Sequence, residues 1–283
     1  MIQMEMNGLV ERLRVRMFDR VWPQPAQYIL LSYPKSGRTW VRFMIDSYLV
    51  KRNGRFVHNV FEAEKDPIVH RYHRVKFTHL MGEEDLNYYE MGSFKHRTTL
   101  VPKSHVVLLT RNIYATLASA YNQARYRIGR VVTPSDFIRE PKEGAIKIIS
   151  FYNFWLQLRS EFLSSEVFSY EALKADPKGV FRQILEAVGI SPIDERLLEE
   201  VVAQSTFQRL QVLALTDAYK DTVLGPTDHT STHRVDPTNK NSWKVREGKT
   251  HGFREVFSEE DLLYIKRLID DLLIDKTIVD ISL

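Results

Sequence analysis

The chain has 283 residues, 43% hydrophobic and 27% charged, proportions of a soluble globular protein long enough for one large α/β domain or two small ones. Lys and Arg (40) exceed Asp and Glu (36), a formal charge of +4 that suits an anionic small ligand; without a dense basic tract it gives no argument for nucleic acid. Cysteine is absent, which excludes disulfides, a thiol nucleophile and thiolate metal sites and fits a reducing cytoplasm, while no run of about 18 apolar residues marks a membrane span.

Residues 1–25 interleave apolar and basic side chains without a signal-peptide core, predicting an amphipathic helical extension packed on the body of the domain. The run "YILLSY" predicts a buried strand over Tyr28–Tyr33, followed by the polar loop "PKSGRT". A helix is expected from Thr39 to Arg52, with Trp40, Met44 and Tyr48 on one face. "RVKFTHL" (Arg74–Leu80) reads as a short strand. "HVVLLTRN" (His105–Asn112) reads as a longer one leading into the helix "IYATLASAYNQARY". Helical periodicity runs from Glu143 to Phe162. A strand is expected over Glu166–Leu173, then a helix with Pro177 at its start and Gly189 near its end, and another over Asp194–Gln204. The pattern breaks over residues 214–252, a long polar segment that reads as either functional or disordered. "SEEDLLYIKRLIDDLL" closes the chain as a helix, with Ser258 and Asp261 at capping-box positions.

Strands alternating with helices predict the α/β class: one domain over residues 1–283 with a parallel sheet and helices on both faces. Ligands of such sheets sit beyond the C-terminal strand ends, a rim that receives Lys35, His79, Arg111 and Tyr170. The loop after the first strand precedes a helix, where backbone N–H groups of Ser36 to Thr39 and the helix dipole favour an anion. It is not the nucleotide triphosphatase loop, in which lysine follows the second glycine; here Lys35 comes two residues before the loop's only glycine, Gly37. Arg111 at a strand end is suited either to a bidentate grip on a phosphate or to a structural ion pair.

Four segments, in order and spanning roughly residues 28 to 275, resemble the sulfotransferases that use 3′-phosphoadenosine 5′-phosphosulfate (PAPS). "YPKSGRTW" is similar to that family's Y-P-K-S-G-T-T-W loop, and "TRNIYATLASAY" to its 3′-phosphate segment, with Arg111 and Ser119 at the family's spacing. "SYEAL", with Tyr170 and Glu171, is similar to the stretch beside the adenine, and "VREGKTHG" to the C-terminal R-x-G-x-x-G segment. The resemblance implies a P-loop NTPase-like sulfotransferase fold and transfer of a sulfuryl group from PAPS to a hydroxyl or amine of a small-molecule or glycan acceptor, leaving 3′,5′-bisphosphoadenosine. It implies no metal, and the spacing of Asp228, His229 and His233 is poor for one.

Carried onto this sequence, the resemblance makes Lys35 the cation on the leaving oxygen and His79 the general base. Lys35, Ser36, Gly37, Arg38 and Thr39 hold the phosphosulfate, and Trp40, Tyr170 and Phe207 surround adenine. Arg111, Ser119, Arg246 and Gly248 grip the 3′-phosphate, with Glu247 between the last two. There are departures. Arg38 stands where the family loop has threonine, and Glu247 where lysine is common. Lys76 precedes His79 by three residues rather than two, and no proline follows Leu80. His79 is expected near the unperturbed histidine value of about 6.5, with His70 and His73 as competitors lacking a motif. A P-loop small-molecule kinase and a catalytically inactive nucleotide-binding protein are the alternatives. The resemblance makes residues 214–252 the active-site lid, and the acceptor is expected among residues 56–72, 86–100, 126–143 and that lid, whose aromatic and basic side chains leave its identity open, as the sequence leaves the oligomeric state.

Overall fold

Runs such as "YILLS" and "HVVLLT" are apolar at successive positions, as a strand buried on both faces requires. The computed structural model describes residues 28–54, 75–79, 104–214, 238–243 and 252–281. Four parallel strands, β1 (Tyr28–Ser32), β2 (Val75–Thr78), β3 (His105–Thr110) and β4 (Ser164–Ser169), form one sheet in the order β2-β1-β3-β4. The chain passes through α1 (Arg38–Arg52), α2 (Ile113–Tyr126), α3 (Pro134–Arg139), α4 (Ala145–Gln157), α5 (Tyr170–Ala175), α6 (Pro177–Ala187), α7 (Glu195–Gln204), α8 (Phe207–Ala214) and α9 (Glu259–Leu272).

Alternation along the strands divides the core into two layers. Ile29 and Leu31 of β1 and Val106 and Leu108 of β3 pack with α2, α4 and α9. Leu30, Val107 and Leu109 point the other way and pack with α1, α6 and α7. Each such fully buried aliphatic side chain contributes about 1.5–3 kcal/mol. The predicted parallel sheet with helices on both faces is therefore the observed architecture. Register sets its upper rim: Leu31 lies level with Thr78, Ser32 with Leu109, and Thr110 with Ser169.

Several boundaries differ from the sequence reading. The fourth strand begins at Ser164 and ends at Ser169, because the Ser169 hydroxyl accepts from the Ala172 N–H and starts α5 inside "YEAL". The helical pattern over Glu143–Phe162 resolves into α4, opened by Gly144, and a 3-10 turn at Arg159–Glu161. Helices α3 and α8 were not anticipated. For α3 the local signal is Thr133-Pro134, since the Thr133 hydroxyl accepts from Asp136 and proline fits the first turn. Of the 214–252 segment only Ala214, residues 238–243 and Gly252 lie inside the described residues; the 1–25 extension lies wholly outside them.

Helix α9 carries the capping box foreseen at Ser258 and Asp261. The Asp261 carboxylate also accepts from Ser135 and, at 2.8 Å, from Arg139, tying α9 to α3. Burial alone would raise this carboxyl, but the bonds from Arg139, Ser135 and Ser258 outweigh it and hold it below its ordinary value. A group lowered on folding adds stability above its unfolded value and loses it as pH falls through the folded one. Asp261→Ala should therefore cost about 1–2 kcal/mol in urea unfolding at pH 7, with the gap to the unsubstituted chain narrowing below about pH 4.

Candidate active site

The loop after β1 is shaped by two residues in the left-handed region, Lys35 (φ 73) and Gly37 (φ 91). For lysine this conformation is uncommon and costs about 1–2 kcal/mol, so the surroundings must hold it. They do: the Lys35 carbonyl accepts a 2.7 Å bond from Arg111 Nη1, and the Ser36 N–H donates to the Tyr33 carbonyl. Gly37 is required for conformation and for space, because a Cβ there would meet Tyr170 Cδ2 at 2.6 Å. As N-cap of α1, Gly37 offers no side-chain oxygen, and the first turn has no acidic residue. The positive end of a 15-residue helix is thus left for an external anion.

Arg111 leaves the end of β3 and crosses to this loop. Its guanidinium carbon lies 4.6 Å over the Tyr170 ring, and its backbone N–H donates to the Tyr152 hydroxyl at 3.3 Å. Its Nε is buried with no hydrogen-bond partner. The Ser36 hydroxyl is also buried, against the Tyr152 phenol but without a well-formed hydrogen bond to it. Burial pushes the Tyr152 hydroxyl up to about 12. Tyr170 meets Trp40 edge-on at 5.8 Å, and the Trp40 indole N–H donates to the Ser205 carbonyl at 2.8 Å. Ser205 ends α7 two residues before Phe207 opens α8, so one indole bond ties α1 to the segment carrying Phe207.

Glu171, next to Tyr170, accepts from the Asn112 N–H at 3.1 Å, while the Asn112 side chain caps α2 by accepting from Ala115. Burial raises the Glu171 carboxyl, against the opposing pull of the Asn112 hydrogen bond and Arg111. The carboxylate thus fixes the start of the helix that follows Arg111 and sets a negative charge behind the cations.

His79 follows β2 directly. Its Nδ1 lies 2.7 Å from the Ser32 carbonyl and 3.1 Å from the Ser32 hydroxyl. A carbonyl only accepts, so Nδ1 carries the hydrogen and Nε2 of the neutral ring carries the lone pair. The expected ordinary value is overturned. Burial first, then Arg38 and, more weakly, Lys35 pull His79 down to about 3, against an opposing bond to Ser32. The imidazole is therefore neutral at pH 7.

Lys35, Ser36, Gly37, Arg38, Thr39, Trp40, Arg111 and Tyr170 lie at or beside one rim, with His79 bonded to Ser32 at the end of β1 and Phe207 two residues after the Ser205 carbonyl that Trp40 meets. Ser119 is half-buried midway along α2. Arg246, Glu247 and Gly248 lie outside the described residues, as do His70, His73, Asp228, His229 and His233. The described pieces on either side of 244–251, Lys240–Ser242 and Gly252–Glu255, both pack on α2, where Phe253 stacks on Tyr114 at 5.2 Å. Sequence reading missed the supporting roles of Tyr152, Asn112 and Ser205. Only Asn112 carried a local signal, as a capping residue before an apolar helix. Among the described residues no group of three or more His, Asp or Glu is placed to hold a metal, and no helix is long and apolar enough to cross a membrane.

This chain is similar to known proteins. The mouse protein Sulfotransferase 1 family member D1 is 26% identical over 208 residues, covering 65% of each chain. The rat protein Sulfotransferase 1C2 is 22% identical over 213 residues, covering 69% of each. Among solved structures, mouse sulfotransferase SULT7A1 complexed with PAP aligns with a TM-score of 0.57 at 17% identity, over 89% of this chain and 86% of that one. Retinol dehydratase in complex with androsterone and inactive cofactor PAP aligns with a TM-score of 0.56 at 16% identity, over 92% and 83%. These likenesses establish the fold. The sequence model described as Sulfotransferase domain matches residues 25–275, and the chain belongs to that family.

Proposed function

We propose that this sulfotransferase takes its sulfuryl group from PAPS and passes it to a hydroxyl or amine of a small-molecule acceptor. The observation that carries the donor assignment is Arg111: it is bonded to the anion loop and stacked on the tyrosine of the aromatic cluster, and its Nε is buried and unpartnered. A phosphate would satisfy that nitrogen, and the α1 N-terminus with no side-chain cap fits a second anionic group one loop away. The two neighbours named above were crystallised with PAP, and the second also with androsterone, which supports this donor and a small acceptor. A glycan acceptor has no such support. A cytoplasmic location belongs to the same proposal and rests on the cysteine-free composition.

The residues divide the work. The N–H groups at the start of α1, with Ser36, Arg38 and Thr39, hold the phosphosulfate. Trp40, Tyr170 and Phe207 flank the adenine, and Arg111 takes the 3′-phosphate with Ser119. Arg246 and Gly248 join that grip, supported by the anchoring of both described neighbours of 244–251 on the Ser119 helix. The donor supplies an activated sulfur whose bond to the phosphate oxygen breaks as the acceptor oxygen bonds to it. His79 Nε2 accepts the acceptor's proton, and Lys35 stabilises the charge left on the phosphate oxygen.

Titration calorimetry with 3′,5′-bisphosphoadenosine, against ATP and 5′-AMP, tests the donor site. Arg111→Ala should weaken bisphosphate binding more than about tenfold and 5′-AMP binding less, because the 3′-phosphate contact is lost along with the bond that holds the loop. Preference for ATP would overturn the reading. Gly37→Ala should also lose bisphosphate affinity about tenfold or more while the chain stays folded by circular dichroism, since a Cβ displaces Tyr170 from the loop. Lys35→Ala should lower kcat by about 10²–10³ and His79→Gln by about 10²–10⁴. With His79 at about 3, kcat/KM of the unsubstituted enzyme should show no acid limb from this group above about pH 5. Full bisphosphate binding without transfer to any acceptor would instead favour an inactive nucleotide binder.

A further inference from the structure

Arg111 stands one residue past the sheet. Strand β1 ends at Ser32, level with Leu109, and β4 ends at Ser169, level with Thr110, so neither neighbouring strand reaches Arg111. The end of β3 is instead held from outside the ladder. The Arg111 N–H donates to the Tyr152 hydroxyl, and the Asn112 N–H to Glu171. A further bond comes from the C-terminal side. The buried Thr110 hydroxyl donates to the Ile278 carbonyl at 2.6 Å, with the Phe168 carbonyl farther off at 3.4 Å. Ile278 belongs to a short strap after α9. The Asp275 carboxylate starts its 3-10 turn, Lys276–Ile278, by accepting from the Thr277 N–H at 2.9 Å. Lys276 ties the turn back to α9, its ammonium donating to the Asp270 carbonyl at 3.0 Å. Ile278 and Val279 are buried in the layer that holds Val106, Leu108 and Tyr152. Side chains alternate along β3, so Thr110 faces that same layer.

Resting on the functional reading above, we propose that the 276–279 strap is a positioning element of the donor site. Through the bond from Thr110 to the Ile278 carbonyl it sets the end of β3. It thereby sets the angle at which Arg111 crosses to the Lys35 carbonyl and meets the 3′-phosphate. Strand end and strap depend on each other, because a buried hydroxyl and a buried carbonyl must both be paired and here each supplies the other's partner. Without that bond Thr110 keeps its ladder with β4, but the turn from the strand into Arg111 is free to tilt. A guanidinium is a long lever on such a tilt. A small rotation at Thr110 becomes about 1 Å at its nitrogens, enough to spoil a paired contact with phosphate. The strap acts through the strand and not by contact with the donor.

The test compares Thr110→Val, Thr110→Ser and Ile278→Ala with the unsubstituted full chain, and uses Ser258→Ala on α9 as a capping control. Calorimetry gives the ratio of the affinities for 3′,5′-bisphosphoadenosine and 5′-AMP, which isolates the contribution of the 3′-phosphate. Thr110→Val and Ile278→Ala should lower that ratio about fivefold or more. Thr110→Ser, which keeps the hydroxyl, and Ser258→Ala should hold it. A group that only stabilised the fold would weaken both ligands together and leave the ratio unchanged. Amide hydrogen exchange reads the same bond without a ligand. In Thr110→Val the Arg111 and Asn112 amides should exchange about fivefold faster or more, with Val107 and Leu108 unchanged. An unchanged ratio or unchanged Arg111 exchange in Thr110→Val overturns the proposal, as does a ratio that falls equally in Thr110→Ser. A ratio that falls in Thr110→Val but holds in Ile278→Ala overturns it too, since the hydroxyl would then act through Phe168. Absent bisphosphate binding by the unsubstituted chain registers instead as failure of the donor reading, and the exchange rates still decide whether the strap holds the end of β3.

Discussion

The bond from the Arg111 guanidinium to the Lys35 carbonyl is the contact on which the site depends. It joins the end of β3 to the loop after β1, and the same guanidinium lies on Tyr170, where β4 ends. Three strand ends are thereby locked at one level. The lock holds Lys35 in a left-handed conformation that a lysine seldom adopts unaided. It works because the parallel register has already brought Ser32, Leu109 and their neighbours level; shifting a strand by one residue would turn Arg111 away from the loop. Gly37 completes the fit by allowing the Tyr170 ring to approach the backbone.

The electrostatic design follows from that frame. Lys35, Arg38 and Arg111 gather around a helix N-terminus with no side-chain cap, and among the described residues the one carboxylate given a structural part there is Glu171, held by the Asn112 N–H. A field of that sign suits a donor with two anionic groups and the charge left on a departing phosphate. It also acts on the neighbouring imidazole. Burial first, and the Arg38 and Lys35 charges after it, disfavour a proton on His79, so the ring is neutral beside these cations. Tyr152 supports the group from below: its buried hydroxyl meets the Arg111 N–H and faces Ser36, linking α4 to the loop and to the end of β3.

Much of this was legible in the chain itself. Apolar runs ending in polar residues located the four strands, and alternation with helices predicted the parallel sheet and its two covered faces. The spacing in "YPKSGRTW" and "TRNIYATLASAY" located the anion loop and Arg111, because those signals are local. Boundaries were less legible. The start of α5 depends on a serine cap inside a run that also reads as strand, and α3 and α8 are too short for periodicity to stand out. Tyr152 looked like one more apolar position on a helical stripe. Its polar end matters only because α4 crosses beneath the loop.

The sequence by itself determined the α/β order and the residue types of an anion site, since each depends on neighbours within a few positions. Tertiary structure decided which of these groups act on one another. The seating of Arg111 on Tyr170, the bond from Trp40 to Ser205 and the bond from His79 to Ser32 join residues 47 to 165 positions apart, which register and helix packing alone bring together. Charge and burial at a side chain depend on what surrounds it in space. No local pattern encodes that the histidine after β2 is buried against the Ser32 carbonyl.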